Sequence, residues 1–240
     1  INHEAVNYAK EIRVAYDAVF KFAVHIEKKN NVFVSIDDIQ SLLKPFQSWN
    51  SESSKRFLEL FNKFYIDTNY ANFYNSHIEI FEKATQEFIN QVYSKIDFDW
   101  FKKYIDTSYL RCIYSLSTGN FGATVNDKII YCQVFMWGND APIVHEYCHS
   151  FGNPIAYKWY KENQEFKKLC DDSINLEKLA AYSSGYLMAA EYVTRSYNVL
   201  YEVQHGAKLE ECLAKERDFG FKDSFKYIKE VYNMILELEQ

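Results

Sequence analysis

The stretch from residue 142 to 154, PIVHEYCHSFGNP, holds two of the chain's six histidines four positions apart, with a glutamate directly after the first. Residues at i and i+4 share a helical face, so the imidazoles of His145 and His149 can converge on one point between successive turns. A packed core has little use for two imidazoles and a carboxylate, because buried polar groups are costly unless something satisfies them. A cation does so: zinc accepts imidazole nitrogens at about 2.0–2.1 Å, which this spacing meets. Glu146 projects about 100° further round the helix, beside such an ion rather than across it. There it is expected to act as general base toward a water whose pKa the metal lowers to about 7, and then to protonate a leaving amine. The alternative is two surface histidines on an ordinary helix.

A catalytic zinc takes three protein ligands and keeps one position open. The metzincin pattern asks for a histidine six residues after the second, following a glycine; Gly152 is present, but position 155 is isoleucine. The other histidines, His3, His25, His77 and His205, lie at no diagnostic spacing. A glutamate from a later helix is the other common solution, with Glu162, Glu165, Glu177, Glu191 and Glu202 as candidates. Glu191 is preferred: it lies in GYLMAAEYV, where small and apolar neighbours would make a bare carboxylate costly and a bound cation would offset the cost. Arg195, one turn on, is expected to orient that carboxylate from outside the ligand set; an ordinary exposed i,i+4 pair is the alternative.

Other features weigh less. Cys148, between the histidines, reads as a small apolar filler rather than a ligand. An oxyanion needs a donor opposite the metal; 20 tyrosines give no basis for choosing one. His205 is the candidate because it alone among the histidines follows the motif, although QHG also reads as a helix C-terminus. Asn120, Phe121 and Gly122 form a candidate substrate-binding edge where a glycine lets a peptide backbone approach, or else simply a turn.

The elements that must position these residues follow from patterning. Helical periodicity runs from Val6 to about Ile26, with KKNN as a stop; Ser35 reads as the N-cap of IDDIQSLL, closed by Pro45. SSKRFLELFNKFY and the long HIEIFEKATQEFINQVYSKI follow as helices, with Phe20, Phe22, Phe57 and Phe61 as core. YLRCIYSLS, FGATV and KIIYCQVFMW are rich in β-branched and aromatic residues, predicting three antiparallel strands parted by Thr118-Gly119-Asn120 and Asn126-Asp127. Asp140 with Pro142 is suited to start the helix that carries the histidines, and Gly152-Asn153-Pro154 is expected to end or bend it. SSGYLMAAEYVTRSYNVLYEV and DSFKYIKEVYNMILEL complete the chain as helices. The expectation is one α+β, mostly α domain over 1–240: a helical lobe (1–105), a small sheet (106–138), then the active-site and C-terminal helices (139–240).

Composition sets the outer limits. The 240 residues are 48% hydrophobic, enough for a substantial core. Few glycines (7) and prolines (3) favour long helices. A formal charge of -6 without a basic block argues against nucleic acid as a partner. No apolar run approaches the roughly 20 residues of a membrane span. Ile1 as first residue leaves room upstream for a signal peptide or anchor. Five cysteines without a C-x-x-C pair argue against a disulfide framework and lean toward a reducing, cytoplasmic compartment.

HEYCHSFGNP, with EYVTR later and FYNSH upstream, resembles an uncharacterised bacterial family of HExxH zincin-like proteins of the gluzincin type, over roughly residues 10 to 235. The resemblance implies one zinc ion on His145, His149 and Glu191, Glu146 as base, a peptide or protein substrate, and a zincin-like core. In such a core an edge strand ahead of the active-site helix holds the substrate, here within STGNFGATV. The interval from His149 to Glu191 is longer than in the thermolysin-like pattern. The expected function is therefore zinc-dependent peptide hydrolysis; a zincin-like scaffold kept for binding alone, or hydrolysis of a non-peptide amide, are the competing readings.

Overall fold

Scarce glycine and proline leave helices to dominate, and the protein is of the α+β, mostly α class. The computed structural model describes residues 2–11, 18–36, 49–114, 121–125, 129–134, 140–174 and 182–240. In chain order these form α1 (Glu4–Glu11), α2 (Ala18–Ala23), β1 (Ile26–Lys29), β2 (Val32–Ser35), α3 (Ser51–Asp67), α4 (Tyr70–Ser76), α5 (Ile78–Gln91) and α6 (Phe98–Phe101). Then come β3 (Leu110–Tyr114), β4 (Phe121–Val125), β5 (Ile129–Val134), α7 (Ala141–Glu162), α8 (Gln164–Asp171), α9 (Gly185–Gln204), α10 (Leu209–Arg217) and α11 (Ile228–Leu238). No helix among the described residues is long and apolar enough to cross a membrane. Contacts divide the chain into two units, Ile1–Ile96 with Ser108–Ile143, and Asp97–Thr107 with Val144–Gln240.

In the first unit, α3 starts on a reciprocal cap: the Asn50 side chain accepts from the Ser53 amide at 2.8 Å, and Ser53 Oγ accepts from the Asn50 amide at 3.0 Å. Phe22, Trp49 and Phe57 make its buried aromatic core, and Phe20 and Val24 of the α2 segment pack with Ile129 and Tyr131 of β5. Phe61 is only partly buried, beside Phe33 at 4.9 Å.

Three expectations change here. KKNN does not stop a helix but turns a hairpin: Asn30 and Asn31 both adopt left-handed φ (49° and 65°), as a two-residue type I′ loop requires, and β1 pairs antiparallel with β2. The helix predicted for IDDIQSLL falls at residues 37–48, outside the described residues. The last predicted helix of the lobe ends at Gln91 and gives way to a 3₁₀ turn at Tyr93–Lys95. The larger sheet is mixed rather than wholly antiparallel, with order β3-β5-β4. Two chain reversals leave β3 and β5 pointing the same way, and β5 lies between β3 and β4, so it pairs parallel with one and antiparallel with the other.

In the second unit, α9 is buried at every position from Met188 to Tyr201 and packs against α8, α10 and α11. Its N-cap is Ser184, whose side chain accepts from the Leu187 amide at 3.3 Å. The loop after α6 joins this unit through aromatic contacts: Tyr104 stacks on Phe151 at 4.4 Å, and its hydroxyl donates to Glu239 at 2.9 Å. Tyr197 donates to the other oxygen of Glu239 at 3.2 Å, and Lys103 adds an ion pair at 3.1 Å. The helix of the two histidines does not end near Pro154 as predicted; it runs on to Glu162 with the proline inside it. Pro154 has no amide for the Ser150 carbonyl, a cost of about 3 kcal/mol in a helix interior. Burial of Tyr147, Cys148 and Ala156 opposes that cost.

Candidate metal centre

The donors come from α7 and α9. Ile143 N–H donates to Asp140 O at 2.9 Å, so the helix starts where Asp140 and Pro142 predict. Two turns of α7 bring the Nε2 atoms of His145 and His149 to 3.2 Å of each other. Glu191 of α9 faces them, with Oε1 3.3 Å from His149 Nε2 and Oε2 3.7 Å from His145 Nε2. Ligands of a tetrahedral ion with arms of about 2.0–2.1 Å stand about 3.3–3.4 Å apart. The imidazole pair and the His149–Glu191 pair are close to that spacing, and one donor atom from each of the three residues lies within 4.8 Å of the others. They form a His-His-Glu group able to hold a metal ion.

The outer nitrogens set the tautomers. His149 Nδ1 is 3.0 Å from both Asn153 Oδ1 and Thr194 Oγ1, acceptors for its N–H, which leaves the Nε2 lone pair toward Glu191 and His145. His145 Nδ1 lies 3.0 Å from the Asn198 carboxamide. With the amide oxygen turned to that nitrogen, it accepts Nδ1–H and gains the partner it otherwise lacks among the described residues. Both imidazoles then offer Nε2 to an ion.

The three groups are electrostatically coupled. Glu191 is 8% exposed, and its Oε2 has no hydrogen bond among the described residues. Burial pushes its carboxyl up, but the Arg195 charge and the two imidazoles hold it well below the usual carboxylate range. Burial also lowers His145, to about 3. It would lower His149 too, yet the hydrogen bond and charge of Glu191 override it and raise His149 to about 9. The Glu146 charge adds to that rise, so this half-buried carboxylate acts on the same cluster. Arg195, 3% exposed, sets Nη2 3.1 Å from Glu191 Oε2, so it stands beside that carboxylate one turn along α9 and buried rather than as an exposed surface pair.

Other candidates fare differently. His205 caps α9 fourteen residues beyond Glu191, about 21 Å along the helix, where Nδ1 donates to Tyr201 O at 2.7 Å and Nε2 pairs with Asp97 at 3.1 Å. It is therefore not an oxyanion donor at this cluster. Asn120 lies outside the described residues; Phe121 and Gly122 belong to β4, an edge strand of the mixed sheet in the first unit. Cys148 is fully buried and its thiol is pushed far up by burial, so it stays protonated and apolar, as read.

Sequence reasoning missed Asn153, Thr194, Asn198 and Glu216. The signal for the middle two was present: Glu191, Thr194, Arg195 and Asn198 recur at i, i+3, i+4 and i+7, a polar stripe along one face of α9. Two tyrosines also border Glu191. Tyr182 is pushed up to about 12 by burial and by the Glu191 charge, and Tyr157 is raised by burial, by Tyr186 and by Glu191.

A scan of family models, a search of curated proteins and a search of solved structures each return no match.

Proposed function

We propose that the protein is a zinc-dependent peptidase in which His145, His149 and Glu191 hold one ion and Glu146 is the general base. The observation that carries this reading is the convergence of the two Nε2 atoms, 3.2 Å apart, and the Glu191 carboxylate, 3.3 Å from His149, with both imidazole Nδ1 atoms already occupied. When bound, zinc supplies a Lewis acid for a carbonyl oxygen and acidifies water. Glu146, next to His145 in sequence and felt electrostatically by His149, takes the proton and returns it to the departing amine. Asn153, Thr194 and Asn198 keep both imidazoles in the binding tautomer, and Arg195 holds Glu191 ionised.

The purified chain is expected to take up one zinc. His149→Ala should abolish uptake, whereas Glu146→Gln should keep the metal and lose about 10²–10⁴-fold in hydrolysis of a peptide library. Hydrolysis at the original rate in Glu146→Gln would refute the mechanism. Zinc binding without any hydrolysis in the unaltered protein would favour a binding scaffold, and turnover confined to non-peptide amides would favour the third reading.

A further inference from the structure

Behind the metal ligands stands a second buried acid. Glu216 of α10 is 4% exposed, and its Oε2 accepts from Arg195 Nη1 at 2.7 Å. The guanidinium is thus divided: Nη1 serves Glu216 and Nη2 lies 3.1 Å from Glu191 Oε2. Phe219 and Phe225, 3.8 and 4.4 Å from its central carbon, fix its plane. A buried ion pair is a poor device for stability alone, because desolvation consumes most of the attraction. The arrangement has a different use at a metal centre.

An arginine not committed elsewhere would take the Glu191 carboxylate as a two-pronged fork, engaging both oxygens. It would also cancel the single negative charge of the ligand set. With Glu216 present, one positive charge is shared between two carboxylates, and the buried group stays net negative toward a dication. We propose that Glu216 is a positioning residue for the metal centre: by drawing Arg195 to one side, it leaves Glu191 Oε1 and a net negative charge available to the ion. This inference rests on the metal-centre reading above.

The test compares the unaltered full chain with Glu216→Gln, which keeps the shape and removes the charge, and Glu216→Ala. Zinc affinity is read by competition with a chromogenic chelator, the ligand field by the visible spectrum of the cobalt(II)-loaded protein, and folding by circular dichroism. Both variants should remain folded, bind zinc about 10–100-fold more weakly, and show an altered cobalt spectrum. If the unaltered protein takes up no zinc, the metal-centre reading fails and this one with it. If it binds while both variants match it in affinity and cobalt spectrum, the role of Glu216 alone is overturned. Loss of metal together with loss of folding in both variants overturns it equally, since Glu216 would then be structural.

Discussion

On the proposed reading, a proton and a metal ion compete for the same nitrogen of His149. In the metal-free protein its pKa is raised to about 9, so the stability it contributes is fully present below the unfolded value near 6.5 and is lost as pH rises through 9. His145 runs the other way: lowered to about 3, it gives up stability as pH falls below 6.5, where the unfolded chain takes the proton that the folded chain refuses. The depressed carboxyl of Glu191 adds to that acid loss below its ordinary value of 4.5. Denaturant titrations with chelator should therefore find maximal stability near pH 6.5, declining toward both pH 5 and pH 9; a steady increase up to pH 9 would contradict the assignment. Zinc uptake at pH 7 should release about one proton, read by calorimetry in buffers of different ionisation enthalpy. The gathering of His145, His149 and Glu191 was legible, since H-E-x-x-H on a helix and a carboxylate among apolar residues each pose a problem that a cation solves. Thr194 and Asn198 showed only as a polar stripe, because the register between α7 and α9 that pairs them with imidazoles is a tertiary fact, whereas Asn153, one turn beyond His149 on the same helix, was within reach of spacing alone.

The elements were read well where periodicity is long and poorly where one or two residues decide. The buried length of α9 and the start of α7 follow from pattern and cap, but Asn30-Asn31 fits either a helix stop or a I′ turn, and pairing with β2 settles which. Gly152-Asn153-Pro154 misled in the same way, since packing against α9 overrides a local breaker. A Cβ at Gly152 would meet Thr194 Oγ1 and Val193 Cγ1 at 3.4 Å, an ordinary contact. Gly152→Ala should thus gain up to about 1 kcal/mol from helix propensity, with zinc binding intact. At Gly185 a Cβ would collide with Asp171 Oδ1 and come within 2.6 Å of the Tyr160 hydroxyl. Gly185→Ala should lose about 1–3 kcal/mol. Chemical denaturation of both variants checks the opposite signs.

At the scale of the whole molecule, the division into units was not legible. Asp97–Thr107 precedes the sheet in sequence yet belongs with Val144–Gln240. Its density of aromatic residues was visible, but their partners Phe151, Tyr197 and Tyr201 lie far along the chain. Burial also differs sharply between helices, as α9 is enclosed over most of its length while α5 has no buried residue. Local opening costs least where few apolar contacts must be broken. Hydrogen exchange should accordingly be slowest in the middle of α9 and far faster in α5; comparable protection in the two helices would contradict this. The hold on Glu239 has a practical corollary for handling the protein. Trimming the chain ahead of that residue would strand the phenols of Tyr104 and Tyr197 without their acceptor, so any shortened version has to keep it.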